Sequence, residues 1–156
     1  MQNYNELFAR LTSADIQKYE GMAIKEALDI LQNETISNLT ARVTGSTRSG
    51  VTPMGAKTKP MTKGVKKNVD VAYAMGSVHI LGDYRLKWFE LGTDERITTG
   101  ARSKSRKGDI KKTIPAGLSR GRIDAKHFFK DARENDNMLQ SYEQSLLKNI
   151  EQAFEQ

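Results

Sequence analysis

Val65-Lys66-Lys67-Asn68-Val69-Asp70-Val71-Ala72-Tyr73-Ala74-Met75 puts Val65, Val69, Val71, Tyr73 and Met75 on one parity. Alternation of that kind marks a strand with one face covered. Gly76-Ser77 then reads as a turn and Val78-His79-Ile80-Leu81 as a second strand, so the stretch predicts an antiparallel hairpin. Upstream, residues 13–42 predict one long helix. Ile16, Tyr19, Ala23, Ala27, Ile30, Leu31 and Leu39 follow helical spacing, with Ile24, Leu28 and Ile36 widening the stripe. Thr12 suits the N-cap, and Asp15 three residues later completes a box that also favours the helix dipole. Gly21 is its weak point, costing about 1 kcal/mol relative to alanine. An earlier short helix through Glu6-Leu7-Phe8-Ala9 fits as well.

Downstream of the hairpin, Asp83 suits an N-cap for Tyr84-Arg85-Leu86-Lys87-Trp88-Phe89-Glu90-Leu91. Tyr84, Trp88 and Leu91 fall at i, i+4 and i+7, and Gly92 suits the left-handed position past a helix end. A strand is the alternative, because Tyr84, Leu86 and Trp88 also alternate. Arg96-Ile97-Thr98-Thr99 predicts a strand, with Arg122-Ile123 as the return strand of a broad hairpin. Asp124 suits the cap of a helix from Ala125 to Glu134. Asn135-Asp136-Asn137 interrupts it, and a last helix follows with Met138, Tyr142, Leu146, Ile150 and Phe154 on one face and Leu139 and Leu147 beside them. The order defines an α+β fold: a long N-terminal helix and C-terminal helices packed on a small antiparallel sheet, in one domain spanning residues 1–156. Two long loops, 44–64 and 100–120, interrupt it. Each is rich in Gly, Ser or Thr and in bases, and loops of that length in a small domain carry function or lack fixed structure.

The chain of 156 residues is lean in apolar side chains, 37%, and carries a net charge of +6. That charge is unevenly spread. Residues 1–41 and 131–156 hold more acids than bases. Between Arg42 and Lys67 stand Arg48, Lys57, Lys59, Lys63 and Lys66 with no acid, and between Ala101 and Arg122 stand Arg102, Lys104, Arg106, Lys107, Lys111, Lys112 and Arg120 against Asp109 alone. Basic segments between acidic ends point either to a polyanion or to acid-to-base contact between copies. Neither loop contains an aromatic residue, which argues against stacking on single-stranded bases. What remains for nucleic acid is sequence-independent phosphate contact.

Reactive chemistry has little to work with. Cysteine is absent, which removes thiolate ligands, disulfides and cysteine nucleophiles. His79 lies on a strand and His127 before Phe128-Phe129, neither with a second histidine at i, i+4 spacing. Gly117-Leu118-Ser119-Arg120-Gly121-Arg122 lacks the ending of a phosphate-binding loop. Glu90, Asp94 and Glu95 have no partner carboxylate at a spacing that marks a hydrolytic pair. No secretory leader and no membrane-length apolar run is seen. The expectation is a non-enzymatic protein with no catalytic, cofactor-binding or metal site.

Two stretches resemble the tail-completion, or head–tail connector, family of long-tailed bacteriophages. Trp88-Phe89-Glu90-Leu91-Gly92-Thr93 is similar to that family's hydrophobic-Glu-x-Gly-Thr motif. Ala125-Lys126-His127-Phe128-Phe129-Lys130-Asp131-Ala132 is similar to its later Ala-x-Pro-Phe segment, with His127 where the family has proline. The gap between the two motifs is longer than in compact members. Trp88, Phe89, Phe128 and Phe129 are expected either to clamp the sheet to the terminal helices or to face another subunit. The resemblance implies a structural protein of the phage neck, made in the bacterial host cytoplasm and resident in the virion. It implies a hexameric ring of identical subunits between the head-side connector and the tail terminator, with duplex DNA passing through. In such a ring the basic loops either line the channel or dock on acidic faces of neighbours. Docking is the favoured expectation, and stand-alone, non-sequence-specific nucleic-acid binding is the alternative.

Overall fold

The structure, a computed structural model, describes residues 12–43, 61–103 and 112–154. The expected helix at Glu6–Ala9 lies outside these residues, as do Arg48, Lys57, Lys59, Lys104, Arg106, Lys107 and Lys111. The elements are α1 (Ser13–Arg42), β1 (Lys66–Asp70), β2 (Met75–His79), α2 (Tyr84–Leu91), β3 (Ile97–Ser103), β4 (Lys112–Ser119), α3 (Phe128–Glu134) and α4 (Asn137–Phe154). The fold is α+β. Its strands form two separate antiparallel ribbons, β1–β2 and β3–β4, rather than one sheet.

Helix α1 begins as its sequence dictates. Thr12 accepts from Asp15 N through Oγ1 at 3.2 Å, and the Asp15 carboxylate accepts from Thr12 N at 3.2 Å. These bonds satisfy two of the donors that every helix start leaves open. The Thr12 hydroxyl, which donates to the Asp15 carboxylate, and after it the Thr12 N–H hold that carboxyl below its ordinary range. α1 is covered on more than one side. Helices α3 and α4 run back along it: Asn38 Nδ2 donates to Phe128 O at 3.3 Å, Asn135 and Asn137 donate to Glu34 Oε1 at 3.4 and 2.6 Å, and α4 continues toward the start of α1. Buried Ser145 and Asn149 face this seam, and Asn149 Nδ2 donates to Ser145 Oγ at 3.4 Å.

The β1–β2 ribbon packs on another side of α1. A Cβ built on Gly21 would lie 2.1 Å from the Val71 carbonyl oxygen. The glycine that weakens the helix locally is therefore the recess into which the hairpin turn fits. Gln32 Nε2 donates to Val65 O at 3.1 Å, and Lys67 pairs with Asp29. The hairpin differs from its sequence prediction. The turn is Val71–Ala74, not Gly76-Ser77, and Asp70 pairs with Met75. Asp70 Oδ1 accepts from Ala72 N at 3.1 Å, which bends the chain there. Tyr73 and Met75, expected on the covered face, are exposed in consequence.

The core lies where the C-terminal end of α1 meets α2 and α3. Leu39, Val43, Met61, Val65, Leu86 and Phe128 are buried there, with Ile36, Val78, Ile80, Phe89 and Phe129 packed around them. Buried Thr35 satisfies its hydroxyl by donating to Leu31 O at 2.7 Å.

Candidate functional site

The two motif stretches, more than thirty positions apart in the chain, meet and bond to each other. Glu90 is the hinge of the contact. It is buried, and its two carboxylate oxygens accept from Phe129 N and Lys130 N, each at 2.9 Å. It thus caps α3 from another helix. That role was expected of Asp124, but α3 starts three residues later, and Asp124 pairs at the surface with Arg122 at 3.1 Å. The residue at the helix start, His127, makes no side-chain cap bond of its own. An anion at a helix N-terminus is favoured by the open N–H groups and the dipole.

Backbone bonds reinforce the clasp. Lys126 N donates to Phe89 O at 2.7 Å and His127 N to Glu90 O at 3.3 Å. Thr93 N donates to Ile123 O at 2.8 Å, and Ile123 N returns a bond to Thr93 Oγ1 at 3.0 Å. Gly92 lies between, with φ 75° and ψ −178°, an extended mirror conformation rather than the left-handed helical one expected. Only glycine takes it without strain. A Cβ there would also meet Ala125 N and Ile123 O at 2.9 Å. Arg42 of α1 closes the clasp from behind, donating to Lys126 O at 2.9 Å and pairing with Asp131. Phe128 and Ala132 are buried and Ala125 is half-buried, so packing and capping account for these motif positions together with Glu90 and Gly92. At His127 φ is +46°, a conformation closed to proline.

The aromatic clamp is only partly as expected. Phe89, Phe128 and Phe129 join α2 to α1 and α3. Trp88 points outward, edge-to-face on Tyr84 with ring centroids 5.2 Å apart. The inward side of α2 is Leu86, Phe89 and Glu90, so the spaced row Tyr84, Trp88 and Leu91 is the outer one, and Tyr84 is 70% exposed. Asp83 caps α2 at Arg85 N, 3.0 Å away. The Arg85 guanidinium bound to its carboxylate holds Asp83 below the usual carboxyl range.

From this clasp the β3–β4 ribbon projects. The stretch expected to be a loop over 100–120 is mostly an antiparallel ribbon, with Thr99 opposite Ala116 and Ala101 opposite Ile114. The return strand is β4, not Arg122-Ile123, which forms only a bridge to Thr93. Beyond passing contact, β3 and β4 pack on each other alone among the described elements. Gly117, at φ 81°, sits where the register slips, and Thr98 Oγ1 ties the irregularity by donating to Pro115 O at 2.6 Å and accepting from Leu118 N at 3.0 Å. At the base, Arg120 N donates to Arg96 O at 2.7 Å.

The candidate bases fall into different places. Arg102 and Lys112 are on the arm's strands, and Arg120 and Arg122 are exposed at its base. Lys63 and Lys66 are exposed on the body, whereas Lys67 is committed to Asp29. Glu90 is the residue whose structural weight the sequence showed least clearly. Its signal in the sequence is a carboxylate two positions before Gly92, at the end of a short helix. Among the described residues no group of three metal-ligating side chains gathers, and no helix is long and apolar enough to cross a membrane. No protein family, curated protein or solved structure matches the chain.

Proposed function

We propose that this chain is a structural subunit of a phage neck, completing the tail by forming a ring between the head-side connector and the tail terminator. The observation that carries the reading is the clasp. The two stretches that resemble the tail-completion family are one hydrogen-bonded unit, and a basic ribbon springs from it. Residues 96–122 hold nine bases and one acid. An arm that finds no cover among the described residues supports a role in contact with other subunits, because an isolated two-stranded ribbon is marginal in water. The outer row Tyr84, Trp88 and Leu91, with exposed Leu81 beside it, supports a second protein-facing surface. The ring number, the virion location and both neck partners belong to this proposal.

Mixing the purified chain with its connector and terminator proteins tests it. Ring complexes by electron microscopy are the expected result, and a chain that stays monomeric with every neck partner contradicts it. The same arm supports a second reading as a non-specific duplex-binding protein, since a two-stranded ribbon fits the major groove. Titration with duplex DNA across salt concentrations separates the two. Steep salt dependence in the absence of any neck protein favours DNA, and negligible binding at low salt removes it.

A further inference from the structure

Helix α4 is packed off-centre. At about 100° per residue, the centre of its apolar side chains lies roughly a quarter turn away from buried Ser145 and Asn149. The side turned to α1 carries Ser145 and Asn149 with half-buried Met138, Tyr142, Leu146 and Ile150 around them. The far edge of the apolar stripe remains uncovered: Leu139 is 54% and Leu147 61% exposed. With Glu143 and Glu151, also exposed, these leucines form one i, i+4 row, apolar and acidic in alternation. Among the described residues neither glutamate has an ion-pair partner.

The β3–β4 arm presents the complementary pattern. Leu118 is 52% exposed and Arg120 is exposed two positions after it, while Ile97, 60% exposed, pairs with Ser119 on the other face. Row positions on α4 are about 6 Å apart. Alternate positions on a strand are about 7 Å apart. Leucine can therefore meet leucine while arginine meets glutamate. The edges of the arm are poorly suited to strand addition. Pro115 removes a donor from β4, and Gly100, at φ 78°, bends β3. Both features favour side-chain docking over strand addition.

We infer that the arm of one copy docks on the Leu139–Glu143–Leu147–Glu151 row of the next. The two surfaces are different patches of one chain, so the contact is heterologous and repeats around a ring. This rests on the proposed assembly role and names the face that performs it. The occupant is a second copy, because the same chain carries both halves of an apolar and charge match.

The test is sedimentation of the full-length chain across concentration and salt, with no other protein present. The expected result is self-association that Glu143→Lys with Glu151→Lys weakens about tenfold, and that Arg120→Glu weakens similarly. Combining the three substitutions should restore most of it, which a folding defect would not allow. Self-association that ignores both sets of variants overturns the contact while leaving the ring proposal standing. An α4–α4 dimer, seen as sensitivity to the α4 variants but not to Arg120→Glu, also overturns it. A chain that is monomeric at every concentration overturns the contact, and only monomeric behaviour with the connector and terminator as well would take the neck reading with it.

Discussion

The two ribbons are close in design and opposite in circumstance. β1–β2 and β3–β4 are both two-stranded and antiparallel, and both carry lysine or arginine on their strands. The first has a seat: Gly21 opens a recess for its turn, Gln32 bonds the carbonyl just before it, and Lys67 spends its charge on Asp29. Among the described residues the second has only a base, where Thr93, Ile123, Arg96 and Arg120 tie it to the clasp. A ribbon of this size needs cover to persist. What β1–β2 obtains from α1, β3–β4 must obtain from outside the described body.

Removing the seat should have the largest effect. Gly21→Val would drive a side chain into the Val71 carbonyl, and is expected to destabilise the fold by about 3 kcal/mol or more, read from urea unfolding. A variant as stable as the parent would mean that the ribbon is not held there. Next comes the base of the arm. Glu90→Ala leaves Phe129 N and Lys130 N without their acceptor and should cost about 2 kcal/mol. Glu90→Gln should recover part of this, since one oxygen can still accept. Amide exchange at Phe129 and Lys130 would report the loss directly.

The arm itself should matter little to the isolated subunit. Replacing residues 97–119 with a short Gly-Ser link should change unfolding free energy by less than about 1 kcal/mol, although self-association is lost. A large loss of stability would show that the arm packs on its own body. The smallest effect is electrostatic. Asp83 has its carboxyl lowered by Arg85 in the folded chain, so its contribution is present above the unfolded value, 3.8, and is lost as pH falls through the lower folded value. Asp83→Asn should therefore be less stable than the parent at neutral pH, with the difference closing below about pH 4.

The helices were legible because their signals are local. Thr12 and Asp15 mark the start of α1, Asp83 and Gly92 bracket α2, and Asn135-Asp136 separates α3 from α4. The first hairpin was legible as a hairpin but not in register. Gly76-Ser77 is the stronger turn signal by composition, yet the Asp70 side chain bends the chain earlier, at Val71–Ala74. On α2 the spacing does not reveal the inward face, because the buried Glu90 breaks the apolar row there and leaves Tyr84, Trp88 and Leu91, on the outer side, as the more regular pattern. The arm resembled a loop for a physical reason. Alternation is imposed by burial of one face, and residues 115–120 are exposed throughout.

Hydrogen exchange on the two ribbons at low and high protein concentration tests the central claim most directly. Amides of Lys66–Asp70 and Met75–His79 should be equally protected at both, while those of Ile97–Ser103 and Lys112–Ser119 should gain protection only when copies can meet. Equal protection of the arm in the dilute monomer would contradict the account.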